Sequence, residues 1–194
     1  SEDTVRTRIF EKRRVASELS SRITLFQCLP KGDKMELIIQ KAVELGVSAV
    51  VPVASRRCVV KLDAKRESNK RKRWQAVAES AAKQSGRAVI PRVMPVAGFA
   101  DALIQAQDLD LCLLPYECAG ELLEDGHRTA MECTREILDS VQKGQSIGIF
   151  IGPEGGFEKE EVEAARKMGA EPVSLGKRIL RTETAGFTVM AWIM

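Results

Sequence analysis

The sequence predicts an α/β protein built on a mainly parallel sheet, and three observations point to it. Apolar runs of strand length alternate with segments whose apolar residues recur at helical spacing. Glycine and proline punctuate the joins, as at Gly152-Pro153 and Gly176. Finally, Leu113 to Pro115, Ile151 to Phe157 and Leu175 to Arg181 all fall at strand ends, where open parallel sheets hold their ligands.

Taken in order, Ser1 to Ser21 is polar, basic and poorly periodic, and Ile23 to Leu29 reads as the first strand. Pro30 to Asp33 is a turn with Asp33 as N-cap. Met35, Leu37, Ile38, Ala42, Val43 and Leu45 then mark an amphipathic helix stopped by Gly46. A second strand covers Ala49 to Val53, followed by a loop opened by Arg56 and Arg57. The basic segment from Lys65 continues as a long helix to Gln84, with Trp74, Val77, Ala78, Ala81 and Ala82 as its buried stripe. Phe99 to Ala106 is helical, Asp110 to Pro115 is a strand and turn, and Met131 to Val141 is a helix. Ile147 to Ile151 is a buried strand, Lys159 to Met168 a helix, and Pro172 to Leu175 a short strand. An apolar helix from Phe187 to Met194 follows, with Thr182 as a candidate N-cap and Glu183 beside it.

The chain concentrates its chemistry in residues Ile151 to Ala185. Gly155 and Gly156 are adjacent residues without Cβ, placed between a strand end and a helix start, where free N–H groups meet an anionic or polar ligand. There is no Gly-Lys-Ser/Thr of a phosphate loop and no GxGxxG fingerprint. Spacing alone leaves open two ordinary βα turns.

The 194 residues suffice for one sizeable core, and 44% hydrophobic with 29% charged content is that of a soluble globular chain. No apolar run approaches a membrane span. Five cysteines without a CxxC pair predict reduced thiols and no zinc site. The net charge of +3 is unevenly spread: residues 65–87 carry +6 and the remainder −3. That footprint suits a polyanion, although most charge runs are solvated helix faces. His127, the only histidine, lies in a polar linker without a nucleophile motif around it.

IGPEGGF followed by LGKRILRTETA closely resembles the RsmE family of SPOUT-class RNA methyltransferases, as do LPKGDKMELIIQKAVELGV, VVKL and AAKQSGR upstream. The resemblance runs from about Ile23 to the C-terminus. It implies methylation of N3 of a uridine in small-subunit (16S-type) ribosomal RNA, with S-adenosylmethionine as cofactor and no metal. It also implies a SPOUT-type parallel sheet with helices on both faces, a C-terminal trefoil knot and a homodimer. General topology rules argue against knots, so that expectation rests on the resemblance alone. The family carries an N-terminal PUA-like RNA-binding β-barrel, of which residues 1–21 are read as a remnant, with the methyltransferase domain spanning residues 22–194. A bacterial cytoplasm is the expected location, or an organelle if a transit peptide was removed.

Carried onto this chain, the resemblance assigns the cofactor to Leu113, Leu114, Pro115, Ile151, Gly152, Glu154, Gly155, Gly156, Leu175, Gly176, Ile179, Leu180 and Thr184. Arg181 and Glu183 are the candidate catalytic residues, with Glu154 or Glu183 accepting the N3 proton. For Glu183 the competing role is support of its helix N-terminus, and for Arg181 an ion pair with Glu183 or Glu154. Lys31, Arg56, Arg71, Arg73 and Arg87 are the candidate RNA contacts. The family usually has acidic residues where Arg56 and Lys83 stand. A non-catalytic RNA-binding module that kept the fold is the alternative reading, and a nucleotide hydrolase is disfavoured by the missing phosphate-loop lysine.

Overall fold

The computed structural model describes residues 6–12, 17–122 and 129–194. His127 and parts of the first 21 residues lie outside them. The elements run β1 (Arg22–Cys28), α1 (Lys34–Glu44), β2 (Ala49–Ala54), α2 (Ala64–Gln84), β3 (Arg92–Val93), β4 (Ala97–Gly98), α3 (Phe99–Ala106), β5 (Leu111–Pro115), α4 (Ala130–Asp139), β6 (Ser146–Ile151), α5 (Lys159–Lys167), β7 (Ala170–Val173) and α6 (Thr182–Ile193). The strands form one sheet in the order β3-β2-β1-β6-β5-β7, with β4 also paired to β2. Every pairing is parallel.

Alternation along the central strands divides the helices between two faces. Phe26 of β1 stacks on its register partner Phe150 of β6 with centroids 4.3 Å apart, and Phe99 at the start of α3 meets Phe150 edge-on at 6.2 Å. Leu25, Gln27 and Ile151 point the other way, toward α6. There Gly186 faces them, and an added Cβ would stand in ordinary contact, 3.6 Å from Ile151 and 3.8 Å from Leu25. Helix α6 lies beside α1, and α1 beside α2. Of the expected stripe on α2, Trp74, Ala78, Ala81 and Ala82 are buried and Val77 is half-buried, and none of the helix's charged residues is buried.

Some boundaries differ from the expectation, for physical reasons. β3 and β4 are two residues each, too short to show a period. β7 begins at Ala170, set by its register with β5, and as an edge strand it tolerates Pro172. Helix α6 starts at Thr182, ahead of the expected Phe187, because Ala185 and Gly186 pack by being small and give no apolar period there. Asp33 stands at the N-cap position of α1 without a side-chain cap bond. Thr129 caps α4: its Oγ1 accepts from Glu132 N at 3.2 Å while Glu132 Oε2 accepts from Thr129 N at 2.7 Å. No helix among the described residues is long and apolar enough to cross a membrane.

Candidate active site

The sheet order reverses between β1 and β6. From β1 the chain leaves toward β2, and from β6 toward β7, so the loops at their carboxyl ends diverge and open a crevice. Side chains then tie the crevice together. Gln27, fully buried, donates from Nε2 to Thr182 Oγ1 at 2.9 Å, and that hydroxyl donates to the Gly152 carbonyl at 2.7 Å. Glu154 Oε1 accepts from the Lys31 N–H at 3.0 Å and from Lys34 Nζ at 3.3 Å. Lys34 Nζ also lies 3.4 Å from Glu183 Oε2. Desolvation pushes the Glu154 carboxyl up, but the Lys31 and Glu154 N–H groups and the Lys34 ammonium outweigh it and hold it below its ordinary value.

The third wall is different. After β7 the segment 174–181 runs over the surface, with Ile179 82% exposed. Its cations Lys177, Arg178 and Arg181 form no ion pair among the described residues. Between these walls lies a cavity of about 350 Å³, lined by the β5 end (Pro115, Tyr116), the glycine turn (Ile151 to Glu154, Gly156, Phe157), residues 174–181, Lys34, Thr182 and Ala185. That volume lies within the range of small-molecule sites, and the lining is mixed as such sites are. Gly156 holds φ +69° and an added Cβ there would project into open space, so the turn presents bare backbone to the cavity.

A family model described as an RNA methyltransferase domain matches residues 17–194. The chain is 43% identical over 185 residues to ribosomal RNA small subunit methyltransferase E of Bacillus subtilis, covering 95% of this chain and 70% of that one. The chain belongs to the ribosomal RNA small subunit methyltransferase E family. Among solved structures it resembles the family member from Neisseria gonorrhoeae bound to S-adenosylmethionine, with TM-score 0.76 and 36% identity over 92% of this chain and 68% of that one. It is also similar to a putative methyltransferase from Legionella pneumophila in complex with the same cofactor, with TM-score 0.77 and 31% identity over 91% of this chain and 66% of that one.

Of the cofactor residues the resemblance assigned, Pro115, Ile151, Gly152, Glu154, Gly156, Leu175, Gly176, Ile179 and Leu180 line the cavity. Leu113 and Leu114 do not: both are wholly buried within β5, a core role that an apolar strand end also fits. Gly155 faces away, its carbonyl accepting from Arg57 Nη1 at 2.8 Å. Thr184 is exposed one turn into α6, beyond the lining. Arg181 lines the cavity, but Glu183 does not, because its carboxylate is turned to Lys34. The competing role for Arg181, an ion pair with Glu183 or Glu154, is absent among the described residues, and Glu183 takes the helix N-terminal role. Thr182 is not a cap but the hydroxyl link between Gln27 and Gly152, with Arg181 at the N-cap position.

Among the RNA candidates, Lys31, Arg56, Arg71 and Arg73 are exposed, Arg73 pairing with Glu36 at 2.8 Å and Arg56 with Glu160 at 3.5 Å. Arg87 is a correction. Its side chain is 4% exposed, paired with Glu18 at 2.6 Å and bonded to the Val43 and Val47 carbonyls, so it anchors the N-terminal segment to α1 and is not free for a phosphate. Sequence reasoning missed Lys34, Tyr116 and Gln27. The Lys31-to-Lys34 run of the matched motif was the available signal for Lys34; a lone glutamine in an apolar strand was the signal for Gln27. No group of three or more potential metal ligands occurs among the described residues.

Proposed function

We propose that this chain transfers the methyl group of S-adenosylmethionine to N3 of a uridine in small-subunit ribosomal RNA. The observation that carries the reading is the convergence of three strand-end loops on one cavity, in a chain whose relatives of the same fold are bound to that cofactor. The residues present fit the group. Ile151, Phe157, Leu175 and Leu180 offer apolar surface for a purine, and Gly156 allows close backbone approach. When bound, the cofactor supplies an already activated methyl on a sulfonium.

The chain's own residues then align the partners, exclude water and manage the N3 proton. Glu154, a glycine-turn carboxylate lining the cavity and held below its ordinary value by its N–H and Lys34 contacts, accepts that proton. Arg181, lining the cavity without an ion-pair partner among the described residues, meets a uracil oxygen or an RNA phosphate. The exposed basic face of α2 carries the RNA backbone. The same reading includes a trefoil knot where α6 returns from the β7 edge to lie against α1 and β6. It includes a homodimer covering the α6 end, where Trp192 is 41% and Met194 64% exposed. It also includes a cytoplasmic location.

Mass spectrometry of ribosomal RNA from a bacterial strain lacking its own enzyme, complemented by this protein, tests the reading. Restoration of one N3-methyluridine supports it. Tight cofactor binding with no methylation of any ribosomal RNA would favour a non-catalytic module, and abolition of cofactor binding by a chelator would contradict the metal-free site.

A further inference from the structure

The outer side of the glycine turn is held by a loop from another part of the sheet. Arg57, on the β2–α2 loop, donates from Nε to Glu158 Oε1 at 2.8 Å, from Nη2 to Glu158 Oε2 at 3.0 Å and from Nη1 to the Gly155 carbonyl at 2.8 Å. Next to it, the Arg56 N–H donates to Glu161 Oε1 at 2.9 Å, and the other oxygen of this buried carboxylate accepts from the Glu158 N–H at 2.9 Å. The Arg57 stem lies against Gly155, where an added Cβ would stand 3.5 Å from its Cβ and Cδ. On the inner side the same turn is held by Lys31, Lys34 and Thr182.

We propose that Arg57 is the positioning residue of the cofactor turn, fixing the Gly155-Gly156 backbone so that Gly152, Glu154 and Gly156 face the cavity. The inference rests on the methyl-transfer reading. Two adjacent glycines have the widest backbone freedom of any pair, and every rotation left open in the free protein must be closed on binding. An exposed ion pair alone would contribute little. The third bond, to a main-chain carbonyl, is what sets the direction of the peptide. A guanidinium makes the paired bonds to Glu158 and the bond to Gly155 in one rigid plane; a lysine ammonium offers a point charge without that fork. Gly155 faces away from the cavity because its carbonyl is turned to the arginine.

The test uses Arg57→Lys, which keeps the charge, and Glu158→Gln, which leaves Arg57 in place. Calorimetry of S-adenosylmethionine binding to the RNA-free protein is expected to show about tenfold weaker binding in each, and the double variant is expected to be no weaker than the worse single one. Amide hydrogen exchange without cofactor is expected to quicken at Gly155 to Phe157 and stay unchanged at 175–181. RNA affinity, measured without cofactor, is expected within about twofold of wild type, because the charge at Arg57 is kept. Unchanged cofactor affinity in both variants, beside a wild type that binds, overturns the inference alone. So does loss of RNA affinity in Arg57→Lys with cofactor binding intact, which would make Arg57 a phosphate contact. A wild type that does not bind S-adenosylmethionine overturns the methyl-transfer reading and this inference with it.

Discussion

The glycine turn and the segment 174–181 line the same cavity, yet they are held in opposite ways. The turn is bonded from both sides, by Lys31, Lys34 and Thr182 within and by Arg57 without, and helix α5 that follows it carries a buried carboxylate, Glu161, with two N–H donors. Segment 174–181 is tied at its start, where Ser174 N donates to Thr134 Oγ1 at 2.8 Å, and beyond that its cations stand unpaired among the described residues. A rigid wall suits a ligand of fixed shape that returns at every turnover, because the ordering cost is met in the fold. A wall of free cations suits a polyanion that arrives from outside and supplies the missing partners itself. On the proposed function, cofactor retention falls mainly to the first wall and substrate charge mainly to the second.

The sharpest way to break that division is Arg181→Ala. Its expected result is a methylation rate lower by on the order of a hundredfold at saturating cofactor, with cofactor affinity within a few-fold. Single-turnover assays beside calorimetry check it, and a melting curve unchanged from wild type excludes a structural cause.

Gly156→Val probes the opposite wall. A β-branched residue at φ +69° is strained wherever its side chain points, so cofactor affinity is expected to fall by about tenfold or more, roughly 1.4 kcal/mol. Gly155→Ala has no positive φ and meets only ordinary contacts with the Arg57 stem, so calorimetry is expected to show little change.

Charge reversal at Arg71 and Lys72 extends the comparison to α2. RNA affinity is expected to drop and the slope of log affinity against log salt to become shallower by about one to two, with cofactor binding unaffected. Arg87→Ala is the internal control. It removes the partner of Glu18 and of two carbonyls, so it lowers the melting temperature, at a cost of about 1–3 kcal/mol, and leaves the salt slope alone.

The smallest effect is acid sensitivity. The Arg87 hydrogen bond holds the Glu18 carboxyl below its ordinary 4.5, despite some desolvation. A depressed folded-state value contributes stability that is present above the unfolded value and lost as pH falls through the folded one. Thermal melts of wild type are therefore expected to lose stability below about pH 4.5, and Arg87→Ala to lose less over that window.

How much of this was legible in the sequence follows the same division. The strands and most helices were, because apolar period and glycine punctuation report backbone and burial directly. Helix α3 has the expected bounds, and the buried stripe of α2 begins at Trp74 as its spacing implied. The loops' identity as one site was legible from their places at strand ends. What was not legible is which side chain each loop turns inward. Leu113 and Leu114 look like lining in a motif but sit in the core, Glu183 looks catalytic but faces Lys34, and Arg87 looks like part of a basic face but is buried against Glu18. Each depends on a contact between residues distant in the chain, which no local period encodes.

The division between the walls is tested most directly by single-turnover methylation of small-subunit RNA across a cofactor titration, with Gly156→Val and Arg181→Ala run side by side. The account predicts that excess S-adenosylmethionine restores the rate of Gly156→Val to near wild type and leaves Arg181→Ala slow at every concentration. Rescue of Arg181→Ala by cofactor, with Gly156→Val slow even when saturated, would contradict it.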